Sequence, residues 1–190
     1  MRHRIFIAIN LPEEIKNKLS SFQAKWPELP TRWVKPENLH ITLAFLGYLS
    51  DEELGEVLKI SKEVAQRHAP FSINLVKICY GPPKKMPPRM IWIEGEKSKD
   101  LASLKDDLEK SLICSKIPFE LEEREFKPHI TLGRIRQWEF RQIEPEERPL
   151  VEEEISLNFP VESIEIMESQ LKRNGAEYTI LESFSLAKKD

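Results

Sequence analysis

Apolar positions along the chain follow two periods, and the changes between them divide it into elements. Arg4 to Asn10 is rich in Ile and Phe and predicts a β-strand. Leu11-Pro12-Glu13-Glu14 then supplies a helix start with Pro and early acids. Ile15, Leu19 and Phe22 recur at helical spacing, and Pro27 and Pro30 end that pattern. Trp33-Val34 begins the approach to a second strand, predicted over Leu39 to Leu46. Gly47 predicts a turn, and Ser50-Asp51-Glu52-Glu53 a helix cap. Leu54, Val57, Leu58, Val64 and Ala65 mark the buried stripe of a second helix running towards His68. Pro70 precedes a strand from Phe71 to Tyr80. Gly81 to Pro88 reads as an exposed loop because four prolines fall within it. A strand from Met90 to Glu94 follows, then a third helix with Leu101, Leu104, Leu108 and Leu112 at helical spacing, then a strand from His129 to Ile135. The acidic stretch from Glu144 to Glu154 predicts a solvated loop with a strand attached. Strands at Ser163 to Glu168 and Tyr178 to Leu186 flank Lys172-Arg173-Asn174-Gly175, whose Asn-Gly pair is a hairpin-turn signal. Strands and helices mix without a parallel βαβ rhythm, so the expected class is α+β with mostly antiparallel sheets.

The chain has 190 residues, near the size of one domain, with 40% hydrophobic and 32% charged residues. Neither disorder nor a bilayer-spanning segment is expected from this pattern. The apolar start from Ile5 to Ile9 is too short for a signal-peptide core, so a cytoplasmic location is expected. The only cysteines, Cys79 and Cys114, stand in no metal or redox spacing and predict reduced, partly buried thiols. A net charge of −3 argues against broad electrostatic coating of nucleic acid but allows a local site for an RNA end.

One internal repeat changes this picture. His40-Ile41-Thr42-Leu43 recurs as His129-Ile130-Thr131-Leu132, with Gly47 and Gly133 following the respective motifs. The chain holds only 4 histidines, so two chance matches of this kind are not expected. On a strand, His and Thr of each motif point to one face while Ile and Leu point to the other. A single His-x-Thr reads most simply as a half-buried strand with local hydrogen bonds; the repeated pair reads as two half-sites. Imidazole has an unperturbed pKa of about 6.5, so of two rings facing one phosphate one can accept a proton while the other donates. Threonine hydroxyls on the same face can donate to non-bridging oxygens whose charge changes at a five-coordinate phosphorus. Neither histidine has a second ligand at i+2, i+3 or i+4, so a metal hydrolase is not expected, and no glycine-rich phosphate loop is present. No cofactor is expected.

These motifs resemble those of the 2H phosphoesterase superfamily, specifically its RNA 2',3'-cyclic phosphodiesterase, or 2'-5' RNA ligase, group. The resemblance covers nearly the whole chain. It rests on Arg4 to Ile9, on Trp33-Val34 with Pro36 to Gly47, on Phe126 to Arg134, on Pro88-Arg89 with Ile91-Trp92, and on Ser169-Gln170-Leu171 through Gly175 to Tyr178. It implies one domain over residues 1–190, with two pseudo-symmetric lobes around a central cleft and reaction without metal. It further implies opening of RNA 2',3'-cyclic phosphate ends to 2'-phosphates, and in some members 2',5' joining of RNA. The implied partners are RNA ends carrying that group, such as those of tRNA halves, and small cyclic nucleotides; no membrane or obligate protein partner is evident. His40 and His129 are then the catalytic pair, and Thr42 and Thr131 bind the phosphate; the near-identical half-sites leave either ring open to either role, with His40 taken here as acid and His129 as base.

Within the resemblance, Phe45 takes a base-stacking role and Arg134 a phosphate-binding one. Each lies five residues after its histidine, and strict alternation puts it on the opposite face. Reaching the cleft requires a bulge or strong twist, which Gly133 could permit. The alternatives are a core position for Phe45 and a surface ion pair for Arg134. Lys84 and Lys85 could track an RNA backbone, although loop lysines are commonplace; His3 and His68 read as surface histidines. A non-catalytic module capturing RNA ends or nucleotides in the same cleft is the competing function, and retention of both histidines speaks against it.

Overall fold

The computed structural model describes residues 2–83, 85–115, 117, 119, 126–173 and 175–187; Lys84 and Asn174 lie outside the described residues. The elements run β1 (Arg2–Asn10), α1 (Glu13–Ser21), β2 (Thr31–Trp33), β3 (His40–Ser50), α2 (Asp51–Ala65), β4 (Phe71–Gly81), β5 (Met90–Gly95), α3 (Lys99–Cys114), β6 (His129–Ile135), α4 (Gln137–Arg141), β7 (Glu152–Val161), β8 (Ser163–Lys172) and β9 (Gly175–Ser185). Short 3-10 turns occupy Phe22–Lys25, Pro36–Asn38 and Pro145–Glu147. The predicted cap on α2 is a full capping box: the Ser50 hydroxyl accepts from the Glu53 backbone N–H at 3.2 Å, and the Glu53 carboxylate accepts from the Ser50 N–H at 2.7 Å.

The nine strands form an antiparallel sheet in the order β7-β4-β5-β6-β3-β1-β8-β9, with β2 alongside β6. Two halves of four strands meet where β3 and β6 touch through one backbone pairing, Ile41 with Ile130. The halves correspond: β1-α1-β3 in one is matched by β5-α3-β6 in the other, each a strand pair with an intervening helix. The α+β class and antiparallel pairing expected from the pattern are thus observed.

Period-2 alternation decides which face is covered. Ile5, Ile7 and Ile9 of β1, with Ile41 and Leu43 of β3 and Ile130 and Leu132 of β6, share one core with Leu19 of α1, Val57 and Val64 of α2 and Leu101 to Leu112 of α3. Phe6, Ala8 and Met167 form a separate small cluster with Tyr178 against it. The helices therefore cover one face of the sheet, and the other face is left for the histidines and threonines. Among the described residues no helix is long and apolar enough to cross a membrane.

Four expectations need correction. Gly47 does not end its strand: β3 continues to Ser50, and Gly47 (φ +72°) sits beside a bulge opposite Ile5 and Phe6, where a left-handed backbone suits glycine. The five-residue α4 went unpredicted because it is too short to show a period, with only Phe140 buried. His3 and His68 are part-buried rather than at the surface: His3 bridges Glu168 and Asp51 at 2.7 and 3.0 Å, and His68 meets Asp107 at 2.9 Å. Cys79 is half-buried as expected, its thiol pushed up to about 12 by burial and Glu94, but Cys114 is exposed.

Candidate active site

The seam between the halves brings the two motifs side by side. Ile41 pairs with Ile130 in antiparallel register, so one further step each way sets His40 across from Thr131 and Thr42 across from His129. Each half contributes one histidine and one threonine to one patch, related by a two-fold through that pairing.

Both motifs carry a bulge at the same place. On β3, Ala8 faces Thr42 while Ile7 faces Ala44, leaving Leu43 as the extra residue; on β6, Trp92 faces Thr131 while Ile91 faces Gly133, leaving Leu132 extra. One extra residue reverses the alternation from there on. Leu43 and Ala44 are consequently both buried, as are Leu132 and Gly133, and Phe45 and Arg134 return to the face of the histidines. Phe45 is 63% exposed, which removes the core reading. Arg134 is exposed, and among the described residues it has no ion pair and only one hydrogen-bond contact, a long one of 3.9 Å to the sulfur of Met90.

A bulge frees a backbone carbonyl that burial does not forgive. The Leu43 carbonyl accepts from Nζ of Lys105 at 3.0 Å, and Lys105, buried on α3, is paired with Glu109. The Leu132 carbonyl accepts from the Val34 N–H at 3.0 Å. Gly133 is needed for the second arrangement: a Cβ there would meet Cγ2 of Thr31 at 2.5 Å and the Trp33 ring at 2.9 Å, so a larger residue would push β2 off β6.

Hydrogen bonding fixes both imidazoles in one tautomer. Nδ1 of His40 donates to the Asn38 carbonyl at 2.7 Å, and Nδ1 of His129 donates to the Lys127 carbonyl at 2.8 Å. A carbonyl can only accept, so in the neutral ring Nδ1 carries the proton and Nε2 is a lone-pair acceptor. Nε2 of His40 accepts from the Thr42 hydroxyl at 3.0 Å, whereas Nε2 of His129 has no hydrogen-bond partner among the described residues. Asn38 is itself held, its side-chain amide donating to the Ala176 carbonyl on β9 at 2.9 Å. The Thr131 hydroxyl has a weak partner, the Met90 sulfur at 4.0 Å, which leaves it able to turn to a stronger acceptor.

Aromatic rings hold the imidazoles in place. His129 stacks on Trp92 with centroids 3.9 Å apart, and His40 packs against Phe6 at 4.9 Å and edge-on against Tyr178 at 5.2 Å. Phe45 lies 5.9 Å from Phe6, extending this aromatic floor. The open face of one half is therefore aromatic, and the corresponding position of the other half, Arg134, is cationic. The supporting roles of Lys105, Asn38 and the three rings were not readable from spacing. Phe6, Trp92 and Tyr178 all fall within the segments that carry the family resemblance, but no role followed from it for any of them.

Part of the His40 ring faces the site, yet the ring lies deep. Burial lowers its pKa to about 4 against the opposing Asn38 bond, and the positive charges of Arg134, His129 and Lys16 add to the fall. A lowered histidine pKa means a ring that is neutral at pH 7 and takes up its proton only near pH 4. Titration of the ligand-free protein by NMR is expected to give a His40 midpoint near 4; a midpoint at the ordinary value of about 6.5 would show a ring fully open to solvent.

The family model described as "LigT like Phosphoesterase" matches twice, over residues 9–92 and 93–178, one match for each His-x-Thr motif. The chain belongs to this family of LigT-like phosphoesterases. A relative from Thermus thermophilus, named RNA 2',3'-cyclic phosphodiesterase, is 32% identical over 96% of this chain and 90% of its own. A crystal structure of a protein from the same organism superposes with a TM-score of 0.85 at 31% identity, covering 98% of this chain and all of that one. The crystal structure of Escherichia coli LigT complexed with 3'-AMP superposes at 0.79 and 26% identity, covering 99% and 100%.

Proposed function

We propose that this chain hydrolyses RNA 2',3'-cyclic phosphate ends to 2'-phosphates, residues 1–190 acting as one bilobal domain with its catalytic pair, His40 and His129, at the seam. The observation that carries this reading is the placement of two identically anchored imidazoles and two threonine hydroxyls around the Ile41–Ile130 pairing. The names of the relatives support the same activity.

The chemistry needs one proton donated and one removed. For a 2'-phosphate product the bond from phosphorus to the 3' oxygen breaks, so one ring protonates the departing 3' oxygen while the other takes a proton from the attacking water. Thr42, Thr131 and Arg134 steady the charge on the non-bridging oxygens, and Phe45 stacks on the base. Both Nε2 atoms can serve because both Nδ1 protons are fixed on backbone carbonyls. Nothing in this scheme routes through a metal.

His40 as the acid requires the bound phosphate to restore its proton. An anion beside His40 offsets the positive charges of Arg134, His129 and Lys16 and raises the His40 pKa from about 4. Repeating the NMR titration with a bound 2'-nucleotide is expected to move the His40 midpoint upward; a midpoint that stays near 4 would hand the acid role to His129. The rate should follow a bell in pH, because the pair must hold one proton and lack the other. If the 5'-hydroxyl of a second RNA replaces water, the surviving 2' bond makes the junction 2',5'. Water at about 55 M outcompetes a dilute RNA end unless binding concentrates it, so joining is minor.

The test is turnover of a nucleoside 2',3'-cyclic phosphate in EDTA, followed by phosphorus NMR. The expected product is the 2'-phosphate at an undiminished rate. Loss of activity in EDTA with recovery on adding a divalent ion would overturn the metal-free mechanism, and binding without turnover would leave the capture module as the function.

A further inference from the structure

Two arginines meet across strands on the catalytic face. β2 runs antiparallel to β6 with Arg32 directly across from Arg134, flanked by Thr31 with Ile135 and Trp33 with Gly133. Thr31 is buried, and both Thr31 and Trp33 contact the core-side surface of Gly133, so the residue between them, Arg32, projects to the same face as Arg134, Thr131 and His129. Both arginines are exposed, and neither has an ion pair among the described residues.

Like charges directly opposite one another on a sheet repel, and a chain of net charge −3 with 32 acidic residues does not lack carboxylates to neutralise them. An unneutralised cross-strand arginine pair next to a phosphate-handling site has the chemistry of an anion cradle: two planar forks that match phosphate oxygens. Along β6 the bulge sets Arg134 one same-face step beyond Thr131, a distance of roughly 6–7 Å and comparable to the spacing of successive phosphates in a single strand. Arg32 lies beside it on β2, on the flank of β6 away from Met90 of β5, and so can reach past the reacting phosphate to the next one.

We propose that Arg32, set beside the Arg134 that serves the reacting phosphate, forms a subsite for the phosphodiester that precedes the terminal nucleotide, so that the chain favours an RNA end over a free cyclic nucleotide. The proposal rests on the cyclic-phosphate reading above and names its substrate class as single-stranded RNA with at least one internal phosphate.

The experiment compares kcat/KM of the full chain on two dinucleotides ending in a 2',3'-cyclic phosphate, one with an ordinary internal phosphodiester and one with an uncharged methylphosphonate there. A cyclic mononucleotide is measured alongside. The wild type is expected to prefer the charged linkage by about tenfold or more, in line with a charge-assisted contact. Arg32→Ala should bring that ratio close to one, and Arg32→Lys, which keeps the charge but not the fork, should retain part of it. The inference is overturned if the wild type does not distinguish the two linkages, if Arg32→Ala distinguishes them as well as the wild type, or if Arg32→Ala loses as much on the mononucleotide as on the charged dinucleotide. No turnover of any of the three cyclic phosphates by the wild type would overturn the underlying function as well, so the two failures are told apart.

Discussion

His40→Ala and His129→Ala are each expected to lower kcat by about 10²- to 10⁴-fold, the loss typical of removing a positioned acid or base. In the proposed mechanism each ring has a task the other cannot take over. The two Nε2 atoms belong to opposite halves of the sheet, so a surviving ring has no partner on the far side of the phosphate. Neither substitution should unfold the protein, since both rings lie on the open face and the main core is built without them. Unchanged thermal melting with lost turnover on a cyclic mononucleotide is the expected pair of results. Near-normal turnover in either variant would show that its histidine is not part of the catalytic pair.

Thr42→Ala and Thr131→Ala are expected to lose up to about 10²-fold, less than the histidine variants, because a hydroxyl donor to a phosphate oxygen carries no proton between reactants. The two should differ in kind. Thr131 makes only a weak contact with the Met90 sulfur, so its removal subtracts a donor and little else, and Thr131→Ser should restore most of the activity. Thr42 also donates to Nε2 of His40 at 3.0 Å, so its removal additionally changes the environment of that ring. Thr42→Ala should therefore shift the pH profile, and Thr131→Ala should lower it without moving it. Kinetic pH profiles of both variants check this; identical profiles would mean that the Thr42 bond to the ring has no part in setting its protonation.

The repeated motif was legible because its information is local: His, Thr and the strand period occupy four consecutive residues in each half. Strands such as His129–Ile135 and helices such as Lys99–Cys114 were legible for the same reason. The bulges after Thr42 and Thr131 were not. Each exists only because something distant satisfies the carbonyl it frees, Lys105 for Leu43 and Val34 for Leu132. Alternation alone therefore put Phe45 and Arg134 on the wrong face, while the requirement for a bulge could be stated. Gly47 misled in the opposite direction, since a glycine in the left-handed region serves a bulge within a strand as well as a turn that ends one. The low pKa of His40 comes from depth beneath Phe6 and Tyr178 and from positive groups on two other elements, Arg134 and His129 of β6 and Lys16 of α1, none of them sequence neighbours. The pairing of Arg32 with Arg134 likewise exists only once β2 is laid against β6.

The most direct test of the central claim is a crystal structure of the chain with a 2'-nucleotide bound. One phosphate is expected at the Ile41–Ile130 seam, with Nε2 of His40 and Nε2 of His129 both within hydrogen-bond distance of its oxygens and the two threonine hydroxyls turned to the same group. A phosphate held by one half alone, with the other histidine out of reach, would contradict it.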